Sequence, residues 1–482
     1  MAGWRLEHSY AALPQLFFSD VRPTPVAAPR LVIFNGALAE ALGLDRAALD
    51  SPAGAATFAG NTLPDGARPI AQAYAGHQFG HFTGLGDGRA ILLGEQIAPS
   101  GHRRDIQLKG SGRTPYSRGG DGRAALGPML REFIVSEAMD ALGIPTTRSL
   151  AVVATGEAVF RDAPLEGAIL TRVAASHIRV GTMQRAAAHR DHDALRALSD
   201  YTRARHYPQL AEAAEPHLAL FDAVVDAQAR LIARWQLVGF IHGVMNTDNM
   251  ALSGETIDYG PCAFMDAYDP GTVFSSIDHA GRYAYGNQPA IAHWNLTRLA
   301  EAMLPLFDAA TESAVERATA SLDRFPELYE QYWLDGMRSK LGLFAPDPED
   351  SVLVEDLLAW MRRQEADFTN VFRSISRAAT AAALASEDAG FAAWYARLER
   401  RRSRQPQAAA ASEALMQRNN PAFIPRNHLV EEALAAAVGE HDHGVMERLL
   451  DVLARPYDYD RDLPMFTQPG KDGRHYRTFC GT

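Results

Sequence analysis

The most informative part of this sequence is Phe240-Ile241-His242-Gly243-Val244-Met245-Asn246-Thr247-Asp248-Asn249-Met250, together with Thr256-Ile257-Asp258-Tyr259-Gly260, which follows after a short gap. Asn249 and Asp258 each stand at the edge of a short apolar segment. Hard divalent cations such as Mg2+ take oxygen ligands from proteins. The two stretches therefore predict a divalent-metal site shared by Asn249 and Asp258.

A small hairpin is predicted between these two ligand candidates. Met250-Ala251-Leu252 is apolar, Ser253-Gly254-Glu255 has turn composition, and Thr256-Ile257 is β-branched. An Asn just before such a hairpin and an Asp-x-Gly just after it are typical of the way protein kinases and their relatives hold magnesium on ATP. The metal keeps its other positions for phosphates. A nucleotide-handling enzyme is therefore predicted.

The position of the proton acceptor departs from this pattern. Kinase-like catalytic loops place an Asp two residues after the His, but His242 is followed there by Val244, which cannot accept a proton. Asp248 lies four residues further on, directly before Asn249. Either Asp248 has become the base, or the enzyme does not run ordinary kinase chemistry. A third interpretation is a structural turn with incidental acidic residues, because short motifs also occur by chance.

Length and composition bound the class of protein. The chain has 482 residues, of which 47% are hydrophobic, enough for a large core or for two lobes and an extension. The formal net charge of −11 argues against nucleic-acid binding, because phosphate backbones require a basic surface. No apolar run is long enough to cross a bilayer, so no membrane partner is predicted.

The expected compartment is the cytoplasm. The start, Met1-Ala2-Gly3-Trp4-Arg5-Leu6-Glu7-His8, lacks the basic flank and the apolar core of a secretion signal. The two cysteines, Cys262 and Cys480, are too few for a disulfide framework and fit a reducing compartment.

Strand patterns dominate the first part of the chain. Alternation and β-branched runs predict strands at Ile91-Leu92-Leu93, around Ile106 and Leu108, at Ala168-Ile169-Leu170-Thr171-Arg172-Val173, and in a hairpin over residues 148–160 that turns at Thr155-Gly156. One helix interrupts them. It is predicted from Pro128, which suits a first turn, to Gly143 near its end.

Helical patterns dominate after His177. Apolar spacing predicts helices at His217 to Val238, Ile291 to Leu306, Val315 to Leu343, Ser351 to Phe372, and a last helix through Ala454, with Gln405 to Ala411 as the best linker candidate. Strands before helices predict an α+β enzyme with two lobes and its site in the cleft. The expected division is a strand-rich lobe at 1–175, a helical lobe at 176–404 and a C-terminal extension at 405–482.

Several residues of the strand-rich part suit phosphate binding. Gly86 and Gly88 let backbone N–H groups approach a phosphate, and Arg89 adds positive charge. Lys109 ends an alternating strand beside Gly110-Ser111-Gly112 and could reach a phosphate as a point charge. Each feature by itself has a plainer explanation, an ordinary turn or an exposed edge lysine.

Further charged residues extend this set. Glu132 lies on the helix that follows, and a strand lysine paired with a helix glutamate positions the nucleotide phosphates in kinases. Asp121-Gly122 lies in a glycine-rich stretch. Arg172 and Arg179 could clamp a polyphosphate bidentately. Solvent-exposed charges are the plainer interpretation, and only the order Lys, Glu, Asn, Asp along the chain favours a shared site.

With these motifs in place, the chain resembles the selenoprotein O family over nearly its whole length. The resemblance rests on five motifs: Tyr74-Ala75-Gly76-His77-Gln78-Phe79-Gly80, Gln107-Leu108-Lys109-Gly110-Ser111-Gly112, the His242 to Asn249 loop, Asp258-Tyr259-Gly260-Pro261, and Asn420-Pro421-Ala422-Phe423-Ile424-Pro425-Arg426-Asn427. It implies a protein-kinase-like two-lobed fold with a helical C-terminal extension. It also implies ATP bound in an inverted orientation and transfer of AMP to protein Ser, Thr or Tyr hydroxyls.

The resemblance further implies a role for each candidate residue. The implied nucleotide ligands are Gly86, Gly88, Arg89, Lys109, Asp121, Gly122, Asp258 and, around the γ-phosphate, Arg172 and Arg179. Glu132 would pair with Lys109, and Asp248 would accept the proton. Asn249 and Asp258 would coordinate Mg2+, with Mn2+ as an alternative.

Protein adenylylation is therefore the predicted function. A phosphotransferase acting on a protein or a small hydroxyl compound is one alternative. A non-catalytic nucleotide-binding regulator, favoured by Val244, is another. Protein targets and oligomeric state are outside what these residues predict.

The two cysteines allow a redox hypothesis that comes only from the resemblance. The family places selenocysteine or cysteine near the C-terminus, and some members pair it with a cysteine in the activation segment. Here the only intramolecular partner for Cys480 is Cys262. The usual partner lies further downstream than Cys262, at a position where this chain has Phe274-Ser275-Ser276. A Cys262–Cys480 bond and two free thiols both remain open.

Overall fold

A computed structural model of the chain describes residues 2–471 and 476–479. It is a mixed helix-and-strand protein with a large antiparallel sheet. The strands of this sheet are β1 (Leu6–Glu7), β2 (Phe18–Asp20), β3 (Arg30–Phe34), β4 (Ile70–Gln78), β5 (His81–Gly86), β6 (Ala90–Ile97), β7 (Arg103–Lys109), β8 (Ala124–Ala125), β9 (Arg148–Phe160) and β10 (Pro164–Ala174). They pair in the order β2-β4-β6-β7-β10-β9-β3, with β1 on β6, β5 on β4 and β8 on β10.

Helices make up most of the rest. Those among the strands are α1 (Gly36–Ala41), α2 (Arg46–Leu49), α3 (Pro52–Phe58) and α4 (Leu126–Ala141). Those after the sheet are α5 (Val180–Ala188), α6 (His192–His206), α7 (Pro216–Val238), α8 (Gln288–Phe307), α9 (Thr311–Leu322), α10 (Arg324–Lys340), α11 (Asp350–Gln364), α12 (Phe368–Ile375), α13 (Ala378–Glu387), α14 (Ala389–Arg402), α15 (Ala409–Asn419), α16 (Asn427–Ala435), α17 (Gly444–Leu453) and α18 (Pro464–Thr467). Between α7 and α8, the short strands β11 (Phe240–Ile241) and β12 (Ala263–Phe264) pair antiparallel.

Alternation along β7 separates an apolar side from a polar one. Ile106 and Leu108 are fully buried in one core with Phe58 of α3. Lys109 lies opposite Leu170 of β10, and directly paired residues share a face of the sheet. Because Leu170 packs in the core beneath α4, the side chain of Lys109 points toward α4.

Helix α4 is buried between the sheet and the C-terminal helices. Its Met129 and Phe133 share one core with Leu429 of α16 and Leu449 of α17. Burying an apolar side chain of this size stabilises a fold by about 1.5–3 kcal/mol. Packing on both sides therefore fixes α4 above the sheet, and Glu132 on this helix is only 1% exposed.

Most predicted elements are confirmed, with changed boundaries. The predicted strands lie within β6, β7 and β10, and the two best-defined helices correspond to α4 and α7. The predicted helices at Val315 to Leu343 and Ser351 to Phe372 are each broken into two. The first breaks at Asp323 between α9 and α10, and the second breaks where Glu365 adopts a left-handed φ of 51° that ends α11.

Both predicted hairpins are wrong. Strand β9 runs through Thr155-Gly156 without reversing and stays paired with β10, where a register shift between Glu166 and Ala168 absorbs the irregularity. In the second case, Val180 N donates to Met250 O (2.9 Å) and Thr256 N donates to Pro145 O (2.9 Å). These segments pair with distant parts of the chain, which a local pattern does not reveal.

The predicted linker at Gln405 to Ala411 is a short packed connection. The Gln405 side chain donates to Gly342 O (2.8 Å) and to Ser412 Oγ (3.0 Å), and α15 begins at Ala409. Within residues 2–471 and 476–479, no helix is both long and apolar enough to cross a membrane.

Candidate active site

A buried cluster of two cations and two carboxylates joins the sheet, α4 and the Asp258 turn. Lys109 Nζ contacts Glu132 Oε2 at 2.7 Å and Asp258 Oδ1 at 2.5 Å. Arg172 Nη2 contacts Glu132 Oε1 at 2.5 Å and Asp258 Oδ1 at 2.9 Å. The side chains of Lys109, Glu132 and Arg172 are at most 8% exposed, whereas that of Asp258 is 33% exposed. Asp258 is therefore the member of the cluster that is most accessible to solvent, and so to a ligand.

The opposite charges keep both carboxyls ionised. Burial raises the pKa of Glu132, but the nearby Arg172 and Lys109 outweigh it and hold that pKa below its usual range. Burial also raises the pKa of Asp258, but the charges of Lys109 and Arg172 outweigh this effect and hold that pKa well below its usual range. The charge of Arg89 lowers the pKa of Asp258 further, which places Arg89 near this carboxylate. The predicted Lys109–Glu132 pair is present, and Arg172 joins it.

His242 connects the Asn249 loop to the Asp258 turn, a role that the sequence interpretation missed. Its Nε2 lies 3.0 Å from Ile257 O, and Val244 N donates to its Nδ1 at 3.3 Å. These partners assign the proton to Nε2. Burial lowers the pKa of His242, so the ring stays neutral. The position two residues before Val244 in a kinase-like loop could have indicated this structural role.

Asp248 has a buried carboxylate with one oxygen that no donor of the described residues reaches. It lies in the 3-10 turn Thr247–Asn249 and is 8% exposed. Its Oδ1 is buried without a hydrogen-bond partner, and its Oδ2 is 3.5 Å from Gln78 Nε2, a long contact. Burial raises the pKa of Asp248 to about 6. A buried acceptor atom without a donor is costly, and such a cost is typical of a group that is kept for chemistry.

The β4–β5 turn lies directly over the loop that carries Asp248. His77 N donates to Thr247 Oγ1 (2.7 Å), and Phe79 N donates to Asn246 Oδ1 (3.0 Å). At Gly76, a Cβ atom would lie 2.4 Å from Asp248 Oδ1. The glycine therefore allows the strand to approach the carboxylate and to exclude water from it.

Asn249 and Asp258 each keep one side-chain oxygen that could bind a divalent metal. Asn249 Nδ2 donates to Val244 O at 3.1 Å, which leaves Asn249 Oδ1 as its ligand atom. The contacts of Asp258 with Lys109 and Arg172 all fall on Oδ1, which leaves Oδ2 for a cation. The described part of the chain has no group of three or more His, Cys, Asp or Glu residues arranged for a metal. A site here would thus depend on oxygens from the nucleotide.

Arg179 and the glycine-rich loop lie at the edge of this region. Arg179 is 5% exposed, lies 3.5 Å from Asp87 through its Nη2, and stacks its guanidinium 4.4 Å from the centre of the Tyr74 ring. A Cβ at Gly86 would lie 2.4 Å from the ring of Tyr116, and one at Gly88 would lie 2.9 Å from the backbone oxygen of Tyr116. Both glycines are therefore required by packing, whatever they bind.

Asp121 and Gly122 have partners of their own. Asp121 contacts Arg161 at 2.8 and 3.2 Å, and these hydrogen bonds lower the pKa of Asp121. Gly122 has a φ of 71° and approaches Gly112 so closely that a Cβ would lie 2.2 Å from its carbonyl carbon. Their predicted nucleotide contacts stay predictions.

The redox hypothesis stays a prediction as well. Cys262 is fully buried, and burial raises the pKa of its thiol to about 12, which disfavours the reactive thiolate. Thr478 Oγ1 donates to Pro261 O at 2.7 Å, so the end of the described chain lies beside Cys262. Cys480 lies outside the described residues.

Comparison with known proteins identifies the family of this chain. Residues 3–454 match the profile of the family described as Protein adenylyltransferase SelO. The chain is 59% identical over 481 residues to the Protein nucleotidyltransferase YdiU of Bacillus cytotoxicus, covering 100% of this chain and 98% of that protein. It is 58% identical over 482 residues to the YdiU of Geobacillus kaustophilus, covering 100% of both.

These matches define the class of protein: the chain is an enzyme, a protein nucleotidyltransferase. Within that class it belongs to the SelO family of protein adenylyltransferases, so the resemblance to selenoprotein O is confirmed.

Proposed function

We propose that this enzyme transfers AMP from ATP to Ser, Thr or Tyr hydroxyls of proteins in the cytoplasm and uses Mg2+ or Mn2+. The proposed scaffold is kinase-like, with a strand-rich lobe at 1–175, a helical lobe at 176–404 and a C-terminal extension at 405–482. The observation that carries the proposal is the buried carboxylate of Asp248, whose Oδ1 has no hydrogen-bond partner among the described residues and whose pKa is raised by burial and in part by the nearby charge of Asp258, a member of the Lys109–Glu132–Arg172–Asp258 cluster. Asp248 can take a proton, and the two cations of the cluster, Lys109 and Arg172, can contact the phosphates of a nucleotide.

The bond changes follow from this arrangement. The acceptor hydroxyl oxygen forms a bond to the α-phosphorus of ATP, and its proton passes to Asp248. The bond between the α-phosphorus and the bridging oxygen breaks, and pyrophosphate leaves with the electron pair. Because the carboxylate of Asp248 is a weak base near neutrality, orienting the hydroxyl contributes more than basicity.

The cationic residues act on the leaving group. Charge builds on the β- and γ-phosphates as the bond breaks, and positive groups fixed in a water-poor site stabilise it. Lys109, Arg89, Arg172 and Arg179 are the proposed partners of these phosphates. A cation bound by Asn249 and Asp258 would neutralise phosphate charge. Asp121 and Gly122 are proposed to contact the nucleotide from the loop beside Gly112.

ATP labelled on either the α- or the γ-phosphorus tests the proposal. The protein is incubated with each form and with a mixture of unstructured acceptor proteins, and labelled products are counted. We expect label only from α-labelled ATP, with release of pyrophosphate. Label from γ-labelled ATP instead would show that the enzyme is a phosphotransferase, and ATP binding without either label would show a non-catalytic regulator.

The transfer rate should depend on the ionisation of Asp248. Burial raises its pKa to about 6, and only the carboxylate accepts a proton. The rate at saturating ATP and metal is therefore expected to be level above pH 7 and to fall roughly tenfold per unit well below pH 6. Nucleotide affinity measured over the same range is the control. A rate that stays level from pH 8 to pH 5 would remove Asp248 from this role.

A further inference from the structure

A surface of aromatic and cationic side chains lies beside the Asp248 loop. We call it the Trp294 platform, made of His77, Phe82, Arg282, Trp294 and Arg298. The His77 ring centre is 5.3 Å from that of Trp294 and 5.1 Å from that of Phe82. The guanidinium carbons of Arg282 and Arg298 lie 4.7 and 5.1 Å from the centre of the Trp294 ring. The indole thus holds both cations in place through cation–π contacts.

The platform is attached to the catalytic loop through two contacts. The hydroxyl of Tyr283, the residue after Arg282, donates to Asn246 Oδ1 at 2.7 Å. At the other end, His77 N donates to Thr247 Oγ1 at 2.7 Å. Asn246 and Thr247 immediately precede Asp248. A molecule on the platform would therefore lie next to the carboxylate that receives the proton.

The charges of the platform are incompletely balanced. Within the described residues, no carboxylate oxygen lies within 4.0 Å of the guanidinium of Arg282, although Asp278 accepts from its backbone N–H at 2.9 Å. Arg298 pairs with Glu301 at 2.7 Å, and the Glu301 side chain is 51% exposed. The Nε atoms of both arginines are buried without a hydrogen-bond partner. Because these Nε atoms are closed to solvent, a carboxylate of an acceptor would meet the other guanidinium nitrogens of the two half-buried arginines.

The platform also has an apolar part that faces solvent. Phe82 is 49% exposed and lies on the β4–β5 hairpin that covers Asp248. An exposed aromatic ring next to fixed arginines is typical of protein-binding surfaces, where Tyr, Trp and Arg contribute most of the affinity. The chain as a whole carries a net charge of −11, and Arg282 and Arg298 place positive charge beside the catalytic loop of this acidic protein.

We propose that the Trp294 platform binds the acceptor protein and selects hydroxyls that have acidic residues nearby in the sequence. Carboxylates of the acceptor pair with Arg282 and Arg298, since the guanidinium fork matches a carboxylate in shape and charge. Contacts with Trp294 hold the arginines in position before binding, which reduces the entropy lost on association. This inference rests on the proposed transfer of AMP to protein hydroxyls, and it names the class of acceptor.

Three unstructured 15-residue peptides test the selection. Each has one central Ser, flanked by Glu, by Gln or by Lys. The rate of AMP transfer from α-labelled ATP is measured at low peptide concentration, so that it reports kcat/KM. We expect the Glu peptide to exceed the Lys peptide by about tenfold or more, and the difference to shrink as salt is raised from 0.05 to 0.5 M.

Charge reversal at the platform supplies the decisive comparison. Arg282→Glu and Arg298→Glu are expected to reverse the preference, so that the Lys peptide becomes the better acceptor. The matched control is Arg324→Glu on α10, which makes the same charge change at an arginine that is 54% exposed and should keep the wild-type preference. Should a charge reversal lower the melting temperature, Arg282→Gln and Arg298→Gln are expected to remove the preference without reversing it.

The outcomes separate this inference from the proposed function. Transfer to all three peptides at equal kcat/KM, or an unchanged preference in Arg282→Glu, would overturn the acceptor site while leaving AMP transfer intact. Weaker ATP binding by Arg282→Glu would assign the platform to the nucleotide and also overturn it. If α-labelled ATP labels neither peptide nor protein, the proposed function fails and the acceptor site fails with it.

Discussion

Asp248→Asn is expected to lower the rate of AMP transfer by about 10²–10⁴-fold, the usual contribution of a positioned proton acceptor. The amide has the size of the carboxylate but cannot take the proton. Nucleotide affinity should change little, because the neighbouring Lys109–Glu132–Arg172–Asp258 cluster is untouched. The rate of transfer from α-labelled ATP checks the expected loss of activity, and a separate ATP-binding titration checks the expected unchanged affinity. Activity within threefold of wild type would exclude Asp248 as the proton acceptor.

The same substitution should make the protein more stable. Folding raises the pKa of Asp248 from 3.8 to about 6, so the folded state binds a proton more tightly than the unfolded state does. The resulting penalty is absent below about pH 4, grows as pH rises toward 6, and is constant above it. At pH 7 it amounts to about 2–3 kcal/mol, to order of magnitude.

Thermal unfolding measures this effect directly. The melting temperature of Asp248→Asn should exceed that of wild type at pH 7, and the difference should decrease as pH is lowered toward 5. Asp65→Asn, at an exposed position, is the matched control and should leave both activity and melting temperature unchanged. A gain in stability together with a loss of activity is typical of active-site groups that are kept for chemistry.

Among the substitutions considered, Glu132→Gln is expected to lower the stability of the fold most. Glu132 is the only carboxylate of the cluster that is fully buried, and it contacts both Lys109 and Arg172, whose two charges it balances together with Asp258. Removing its charge leaves one excess cation in a buried site, a change that costs about 3–5 kcal/mol. The melting temperature should fall by several degrees, and AMP transfer should be lost because Lys109 loses its position.

A double substitution shows whether charge balance is the cause. Glu132→Gln with Lys109→Met restores neutrality and should recover part of the lost melting temperature, while AMP transfer stays absent. The control is Asp356→Asn, which breaks an ion pair with Arg397 in which both side chains are at least 40% exposed and should cost less than about 1 kcal/mol. If Glu132→Gln loses no more stability than Asp356→Asn does, Glu132 does not balance the buried cations.

Elements defined by local patterns were predicted well. The alternation of Ile106 and Leu108 with polar residues identified β7, and the apolar spacing from His217 to Val238 identified α7. The two hairpins were predicted incorrectly: β9 continues through Thr155-Gly156, and although the chain turns at Ser253-Gly254, the segments on either side of that turn pair with distant residues and not with each other. Local composition reports a tendency to turn, but the partner of a strand is set by long-range packing.

In the candidate site, too, local motifs were predicted from the sequence, whereas contacts between distant residues were not. The motifs around Asn249 and Asp258 predicted a nucleotide enzyme, the order Lys109, Glu132, Asn249, Asp258 favoured a shared site, and Lys109, Glu132 and Asp258 meet in the structure. The participation of Arg172 in that cluster was not predicted, nor was the link from His242 to Ile257 O. Contacts between residues far apart in the chain leave no periodic signal in the sequence.

The sequence by itself determined the family, the strand that carries Lys109, the helix that carries Glu132 and the residue types of the catalytic loop. These depend on neighbouring residues and on motif order. Only the tertiary structure decided that Glu132 contacts two cations, that Asp248 keeps an unpartnered buried oxygen, and that Arg282 and Arg298 flank Trp294 near the Asp248 loop. Burial and charge pairing depend on which segments pack together, and those energies are fixed by distances through space, not by separation along the chain.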